Sequence, residues 1–214
     1  MDGRVPSRRG AMARQTGVAG PVLVLGHGAG AGHDHPWMTR VVGGLAARGL
    51  RVVTFDFPYI AAGRRTPDPG RVLEDAFAAV WVSVRDEGPM FAGGKSMGGR
   101  IASQAAARSG LDPAPAGLVY FGYPLHPPGK PAERRDRHLA AIGAPMLFLH
   151  GTRDPFGSPD EMRALVQGLP AAALELAEGG DHSLVRPRRA DPSGALLETM
   201  LDRAAAWVQA TAGR

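Results

Sequence analysis

Six short apolar runs, each followed by a longer stretch of helical spacing, leave this chain few folds to choose from. They read "PVLVLGHG" (21–28), "RVVTFDF" (51–57), "PMFAGG" (89–94), "AGLVYFG" (116–122), "APMLFLHG" (144–151) and "AALELAEG" (172–179). The runs are nearly continuous in apolar residues instead of alternating, so as strands they are buried on both faces. The first helical pattern (35–49) puts Trp37/Met38, Val41/Val42 and Leu45 on one face, with Gly49 at its end. Others cover 71–88, the small-residue stretch 96–110, a short piece near 133–142, and 193–213. The pattern over 158–169 opens with Ser158 as N-cap and Pro159 in its first position. This alternation specifies an α/β fold, a three-layer α/β/α sandwich around a mostly parallel sheet of about six strands.

In such sheets ligands bind at the carboxyl ends of the strands. The conspicuous polar clusters, at 27–35, 56–65, 95–100, 122–130, 150–156 and 179–184, all follow strands and point to one site. A length of 214 residues suits one domain with a substantial core. Residues 1–17 read as a flexible N-terminal arm, and 18–214 as the single domain.

The chain has no cysteine, which excludes disulfides, a thiol nucleophile and thiolate metal sites, and is compatible with a reducing cytoplasm. The net charge of +5 comes almost wholly from scattered arginines; Lys95 and Lys130 are the lysines. Without a basic strip interleaved with aromatics, nucleic acid is not expected as a partner. Arg8-Arg9 is followed by no apolar stretch of the kind a secretory signal needs, and no run approaches a membrane span. The expectation is a cytoplasmic protein with neither membrane nor nucleic-acid partners.

The chemistry centres on "FAGGKSMGGR" (91–100). Gly94-Lys95-Ser96 is how a phosphate-binding P-loop ends, but that motif needs a glycine five residues before Gly94, where Pro89 stands. The intervening residues are apolar strand, so the nucleotide reading fails on spacing. Gly94-x-Ser96-x-Gly98 instead fits a nucleophile elbow, a sharp strand-to-helix turn whose neighbours two positions away must be small. Gly93 and Gly99 give further room.

A serine hydroxyl needs a base oriented by a carboxylate. "LHGTRDPF" places Asp154 after the fifth strand, and "EGGDHSL" places His182 after the sixth. Ser, Asp and His thus follow in α/β-hydrolase order, each at a strand end. Asp181 is a poorer candidate acid, because adjacent side chains seldom face one another. On "LGHGAGAG", "FDFPY", "GGKSMGGR", "FLHGTRD" and "GGDHS", residues 20–212 resemble the α/β-hydrolase superfamily. The resemblance is greatest to a compact, capless bacterial branch near the dienelactone hydrolases, which also resembles the hydrolase-like domain of an animal histone-acetyltransferase complex subunit.

The resemblance implies Ser96 as nucleophile, Asp154 as triad acid and His182 as base. It also implies an oxyanion hole from the N–H of Met97 and of Ala29, with Gly30 as the alternative donor. A glycine-rich loop beside the elbow has independent reason to serve, since it can approach closely. Two departures from the superfamily stand out: no strand pair precedes the Gly-His-Gly strand, so the sheet is expected to be trimmed, and no long insertion follows the fourth strand to make a cap.

The implied activity is hydrolysis of a small ester or related acyl bond, with no cofactor. An acyltransferase or thioesterase shares the machinery, and a non-catalytic hydrolase-like interaction module is the rival from another class. Arg64 and Arg65 are candidates for meeting an acidic substrate, and Tyr59, Tyr123 and Trp37 for lining an acyl pocket. His33-Asp34-His35 has no second cluster to complete a metal site, so no metal is expected. His27 and His150 read as buried structural imidazoles, and Lys95 and Arg100 as structural.

Overall fold

Along the central strands, successive side chains enter opposite layers, and both layers are apolar. Val22 and Val24 of β3 (Val22–Gly26) belong to one core, Leu23 and Leu25 to the other. The split recurs along β5 (Met90–Lys95), β6 (Gly117–Phe121) and β7 (Met146–Gly151). Ala92, Leu118, Tyr120 and Phe148 face the first core; Phe91, Val119, Phe121 and Leu149 face the second. This is the two-residue period of a strand buried on both sides.

The computed structural model describes residues 3–6, 12–17, 20–84 and 88–213. Its eight-stranded sheet has the order β1-β2-β4-β3-β5-β6-β7-β8, with β1 at Gly3–Pro6, β2 at Met12–Thr16, β4 at Arg51–Phe55 and β8 at Ala172–Ala177. The six strands from β4 to β8 in that order are parallel. Helices α3 (Gly70–Ser83), α4 (Met97–Ala107) and α5 (Pro159–Gln167) cover the first face. The second face is covered by α1 (Pro36–Ala47) and α6 (Ala195–Ala212). The α5 cap is a full capping box between Ser158 and Glu161, with Pro159 at its start.

Two sequence expectations need correction, and one short helix was not expected. A strand pair does precede β3: β1 and β2 pair antiparallel, and β2 pairs antiparallel with β4, within the segment read as an arm. "GRVP" and "MARQT" are short and carry no apolar run to announce them. The loop after β4 contains a one-turn helix, α2 (Pro58–Ala61), started by a proline whose fixed φ suits that position. The short helix expected near 133–142 is only a 3-10 turn, Leu139–Ala141, because the charged residues before it stay largely in solvent.

Among the described residues, no helix is long and apolar enough to cross a membrane. The chain leaves β3 for α1 and β4 on one side, then returns to β5 on the other. That reversal opens a crevice at the carboxyl ends of β3 and β5.

Candidate active site

Ser96 sits in that crevice, between the end of β5 and the start of α4, with φ 50° and ψ −115°. A non-glycine residue rarely adopts positive φ, and such strain persists only where the surroundings enforce it. Here its N–H donates to Phe121 O (3.1 Å) and its carbonyl accepts from Arg100 N (3.1 Å). The flanking glycines are required by close approach. A Cβ on Gly98 would fall on the carbonyl oxygen of Gly26, and one on Gly94 would lie 2.7 Å from backbone atoms of Gly98 and Gly99.

Asp154 follows β7 and its carboxylate is fully buried. One oxygen accepts the Phe156 N–H at 2.9 Å; the other accepts from His182 Nδ1 at 2.7 Å. Burial alone would raise the Asp154 pKa, but the bond to His182, the charges of His182 and His150, and the Phe156 N–H outweigh it and hold the pKa below the usual range. The neighbouring carboxylate of Asp181 turns back into its own loop, accepting from Ser183 N (2.7 Å) and Val185 N (3.2 Å). His182 stacks against Phe156, with ring centroids 4.3 Å apart.

Three features hold the His182 loop; of these, sequence reasoning assigned Trp37 to the pocket lining but neither Lys95 nor Gly122 to the site. Lys95 Nζ donates to the His182 carbonyl, and Trp37 Nε1 donates to the Ser183 carbonyl at 2.8 Å. Gly122, with φ +66°, ends β6 against the same loop. A Cβ there would lie 2.6 Å from His182 O and 3.2 Å from His182 Nδ1. A glycine closing an apolar run was the available signal, but its partner is 60 residues away in sequence. Lys95 also lies over the Trp37 ring, 5.5 Å from its centroid, and burial pushes its pKa down to about 8.

The loop after β3 is pinned by His27, which is fully buried. Its Nδ1–H donates to Gly28 O (2.8 Å), while its Nε2 accepts from Phe57 N (3.0 Å). Burial lowers its pKa, consistent with a neutral ring in this role. His150 is equally buried, and its Nε2 donates to Gly157 O (2.8 Å). A Cβ on Gly28 would be 3.9 Å from the Ser96 Cβ, so the loop lies directly beside the elbow. Met97 opens α4, and the first N–H groups of a helix have no partner within it.

Two cavities meet at Ser96 and share Ala29 and Phe156. One, of about 320 Å3, is walled by Gly28, Trp37, Met38, Lys95, His182 and Ser183. The other, of about 340 Å3, is walled by Asp68, Leu73, Met97, Arg100, Pro124 and Arg135. The structure thus brings Ser96, Ala29, His182 and the His182-bound Asp154 together, with Met97 next to Ser96.

Other candidates lie elsewhere. Tyr59 and Tyr123 are buried in the first core, and Tyr123 OH donates to Arg135 O at 2.8 Å. Neither tyrosine lines a cavity at Ser96, nor do Arg64 and Arg65. Arg64 pairs with Asp68 at 2.7 Å. His33 pairs with Asp56 (3.0 Å), and His35 Nδ1 accepts from Trp37 N (3.2 Å) at the start of α1. A serine–histidine hydrogen bond elsewhere, Ser103 of α4 with His138 Nε2 at 2.8 Å, involves neither cavity at Ser96. Ser103 is fully buried and its hydroxyl also donates to Arg100 O (2.7 Å), so it is a helix-packing serine.

Solved structures share this architecture. The chain is similar in fold to a dienelactone hydrolase from Anabaena variabilis ATCC 29413, with 19% identity, TM-score 0.73, and coverage of 97% of this chain and 96% of that one. It is also similar to Est1E from Butyrivibrio proteoclasticus, solved with ferulic acid bound (13% identity, TM-score 0.72, coverage 97% and 99%). A third is an α/β serine hydrolase without a lid from Xanthomonas campestris (17% identity, TM-score 0.71, coverage 95% and 92%). Residues 19–212 match the alpha/beta hydrolase domain family, and the chain belongs to it.

Proposed function

We propose that this protein is a serine hydrolase that cleaves a small ester or related acyl bond through Ser96, His182 and Asp154. The observation that carries the reading is the 2.7 Å bond from His182 Nδ1 to buried Asp154, on a ring that borders the same cavity as the strained Ser96. With Nδ1 committed to the carboxylate, Nε2 is the nitrogen left to accept the Ser96 proton. Ser96 Oγ then adds to the substrate carbonyl, and the oxyanion is met by the N–H groups of Met97 and Ala29.

Collapse of that intermediate breaks the bond to the leaving alcohol, which takes its proton from His182. Water, activated by the same base, hydrolyses the acyl-enzyme and restores Ser96. Asp154 stays ionised throughout and stabilises the imidazolium. A thioesterase or acyltransferase would use the same steps with another leaving group or acceptor. The lidless and dienelactone hydrolases among the structural neighbours support a site open to small substrates.

A fluorophosphonate probe tests the reading directly. Covalent labelling is expected at Ser96 and lost in Ser96→Ala. An adduct on Ser103 or another serine, or none on folded protein, would overturn it and favour a non-catalytic interaction module.

A further inference from the structure

The two cavities that meet at Ser96 differ in chemistry, and a serine hydrolase mechanism at Ser96, on which this inference rests, gives each cavity one half of the substrate. His182 must hand its proton to the leaving group, so the alcohol half lies on the His182 side. That cavity is walled by Trp37, Met38 and the His182-Ser183 turn. The acyl half extends the other way, into the cavity bordered by Met97, Arg100 and Arg135.

This second cavity is lined by two arginines, Arg100 and Arg135, that have no ion-pair partner among the described residues. Arg100 Nη1 donates to Gln104 Oε1 at 3.2 Å, but its Nε is buried with no hydrogen-bond partner among the described residues. The neighbouring carboxylates are already engaged. Asp68 pairs through Oδ1 with Arg64 at 2.7 Å, its Oδ2 being buried with no hydrogen-bond partner among the described residues; Glu74 pairs with Arg108 at 2.6 Å, and Asp136 accepts from Arg134 Nε at 3.1 Å. Among the described residues, neither Arg100 nor Arg135 has a carboxylate partner. Burial, and then the charge of Arg135, lower the Arg100 pKa, against the opposing effects of Tyr123 and Glu74. A buried charge is costly unless paired. An arginine needed only to pin α4 would not require a second arginine across a cavity that opens onto Ser96.

We propose that the acyl half of the substrate carries a carboxylate held by Arg100 and Arg135, while the alcohol half is apolar. The substrate class is then the monoester of a short dicarboxylic acid. A planar guanidinium suits a carboxylate because it offers paired donors in one plane. Arg100 lies one helical turn beyond Ser96, a rise of roughly 6 Å, which with the reach of its side chain fits a spacer of about two to four methylenes. The reaction balances with water alone: the ester C–O bond breaks, the alcohol leaves protonated, and the dicarboxylate is released.

The test compares kcat/KM for monobenzyl glutarate with that for its neutral isostere, benzyl 4-carbamoylbutanoate, on the full chain. Wild type should prefer the carboxylate by about 10- to 100-fold, the range expected when a charged hydrogen-bonded group loses its partner. In Arg100→Met and Arg135→Met the preference should fall below about 3-fold, mainly through KM, with Arg100→Lys intermediate. Fluorophosphonate labelling of each variant reports whether its site is still assembled.

Equal turnover of both esters by wild type would overturn the proposal while leaving the hydrolase reading intact. No turnover of either and no labelling would overturn both. A preference for 4-carboxybenzyl pentanoate over benzyl pentanoate would show the charge on the alcohol side and reverse the assignment. Stronger selection for benzyl 3-phosphonopropanoate than for the carboxylate would replace a planar monoanion with a tetrahedral dianion, against the proposal.

Discussion

Lys95 Nζ donates to the backbone carbonyl of His182, so the residue beside the elbow serine holds the loop that carries the imidazole. The bond spans 87 residues of sequence and ties the two halves of the site across the crevice. Replacing Lys95 with Met keeps the length of the side chain but removes the tether. A drop of about 10-fold or more in kcat/KM is expected, since small misplacements of a catalytic group cost much of its effect. Unchanged kcat/KM on a correctly folded variant would show that the loop is held by other contacts.

The same lysine should leave a mark on stability. Its pKa is pushed from 10.5 to about 8 by burial, with the charges of Asp154 and Asp181 opposing the fall. Below pH 8 both folded and unfolded chains carry the proton, and the folded state bears the penalty of a buried charge. Between about pH 8 and 10.5 the unfolded chain binds more protons than the folded one, so this contribution to stability rises with pH. Urea unfolding at pH 7.5 and 9.5 should show wild type gaining relative to Lys95→Met. A loss relative to that variant would mean the ammonium is stabilised in the fold.

Within the proposed triad, Ser96→Ala and His182→Ala should each lower kcat by about 10^3-fold or more, and the double variant should lose little further, because the residues act as a unit. Asp154→Asn should also be severe, for it removes the carboxylate that fixes the ring and its tautomer. Asp181→Asn is the contrast. Its carboxylate is hydrogen-bonded by backbone N–H groups of its own turn, so about 1 kcal/mol of stability is at stake. Steady-state kinetics of the two asparagine variants would decide: a normal rate in Asp154→Asn with a collapse in Asp181→Asn reverses the roles.

Gly122 and Gly129 both have positive φ, +66° and +73°, but only Gly122 has neighbours in the site. Alanine at either should cost about 1 kcal/mol from backbone conformation. At Gly122 the new methyl would also meet the His182 carbonyl and Nδ1, so kcat should fall by about 10-fold or more. At Gly129 nothing lies within 4 Å, and activity should be unaffected. Parallel thermal melts and rate measurements separate strain from displacement; equal rates in the two variants would remove Gly122 from the site.

For neutral esters, acyl length should matter only briefly. The segments nearest the acyl-side cavity, 61–70 and 123–138, are rich in proline, glycine and charge and offer little apolar wall. A methylene that finds a wall gains about 0.8 kcal/mol, and one left in water gains almost nothing. The ratio kcat/KM for C2 to C12 esters, below their micellar concentrations, should level off after a few carbons. A steady rise to C10 would reveal a long apolar groove.

How much of the molecule was legible in the sequence depends on how local each signal is. The six parallel strands were legible because a strand buried on both faces must be apolar at nearly every position, as Val22 to Leu25 and Met146 to Leu149 are. Ser96, Asp154 and His182 were singled out because each stands at the carboxyl end of such a strand beside glycine or a turn. The β1–β2 pair escaped notice, since neither short strand carries an apolar run. Gly122 and Lys95 could not be connected to His182, because that contact exists only once β6 and the loop after β8 are neighbours. Arg64 and Arg65 drew attention as loop arginines, yet Arg100 and Arg135 face the cavity. Sequence spacing does not reveal which cations already have an anion.

The placement of β8 has a consequence for how the protein is made. Among the described residues it is an edge strand paired with β7 alone, and the loop it feeds delivers His182 to an elbow formed 86 residues earlier. Chains emerging from a ribosome acquire their N-terminal elements first. On the proposed mechanism, a nascent chain that has formed β3 through β7 displays Ser96 with no base beside it. Activation of the serine would then await the docking of β8 and the closing of α6 over the second face, so the return of turnover in refolding should coincide with the last structural phase.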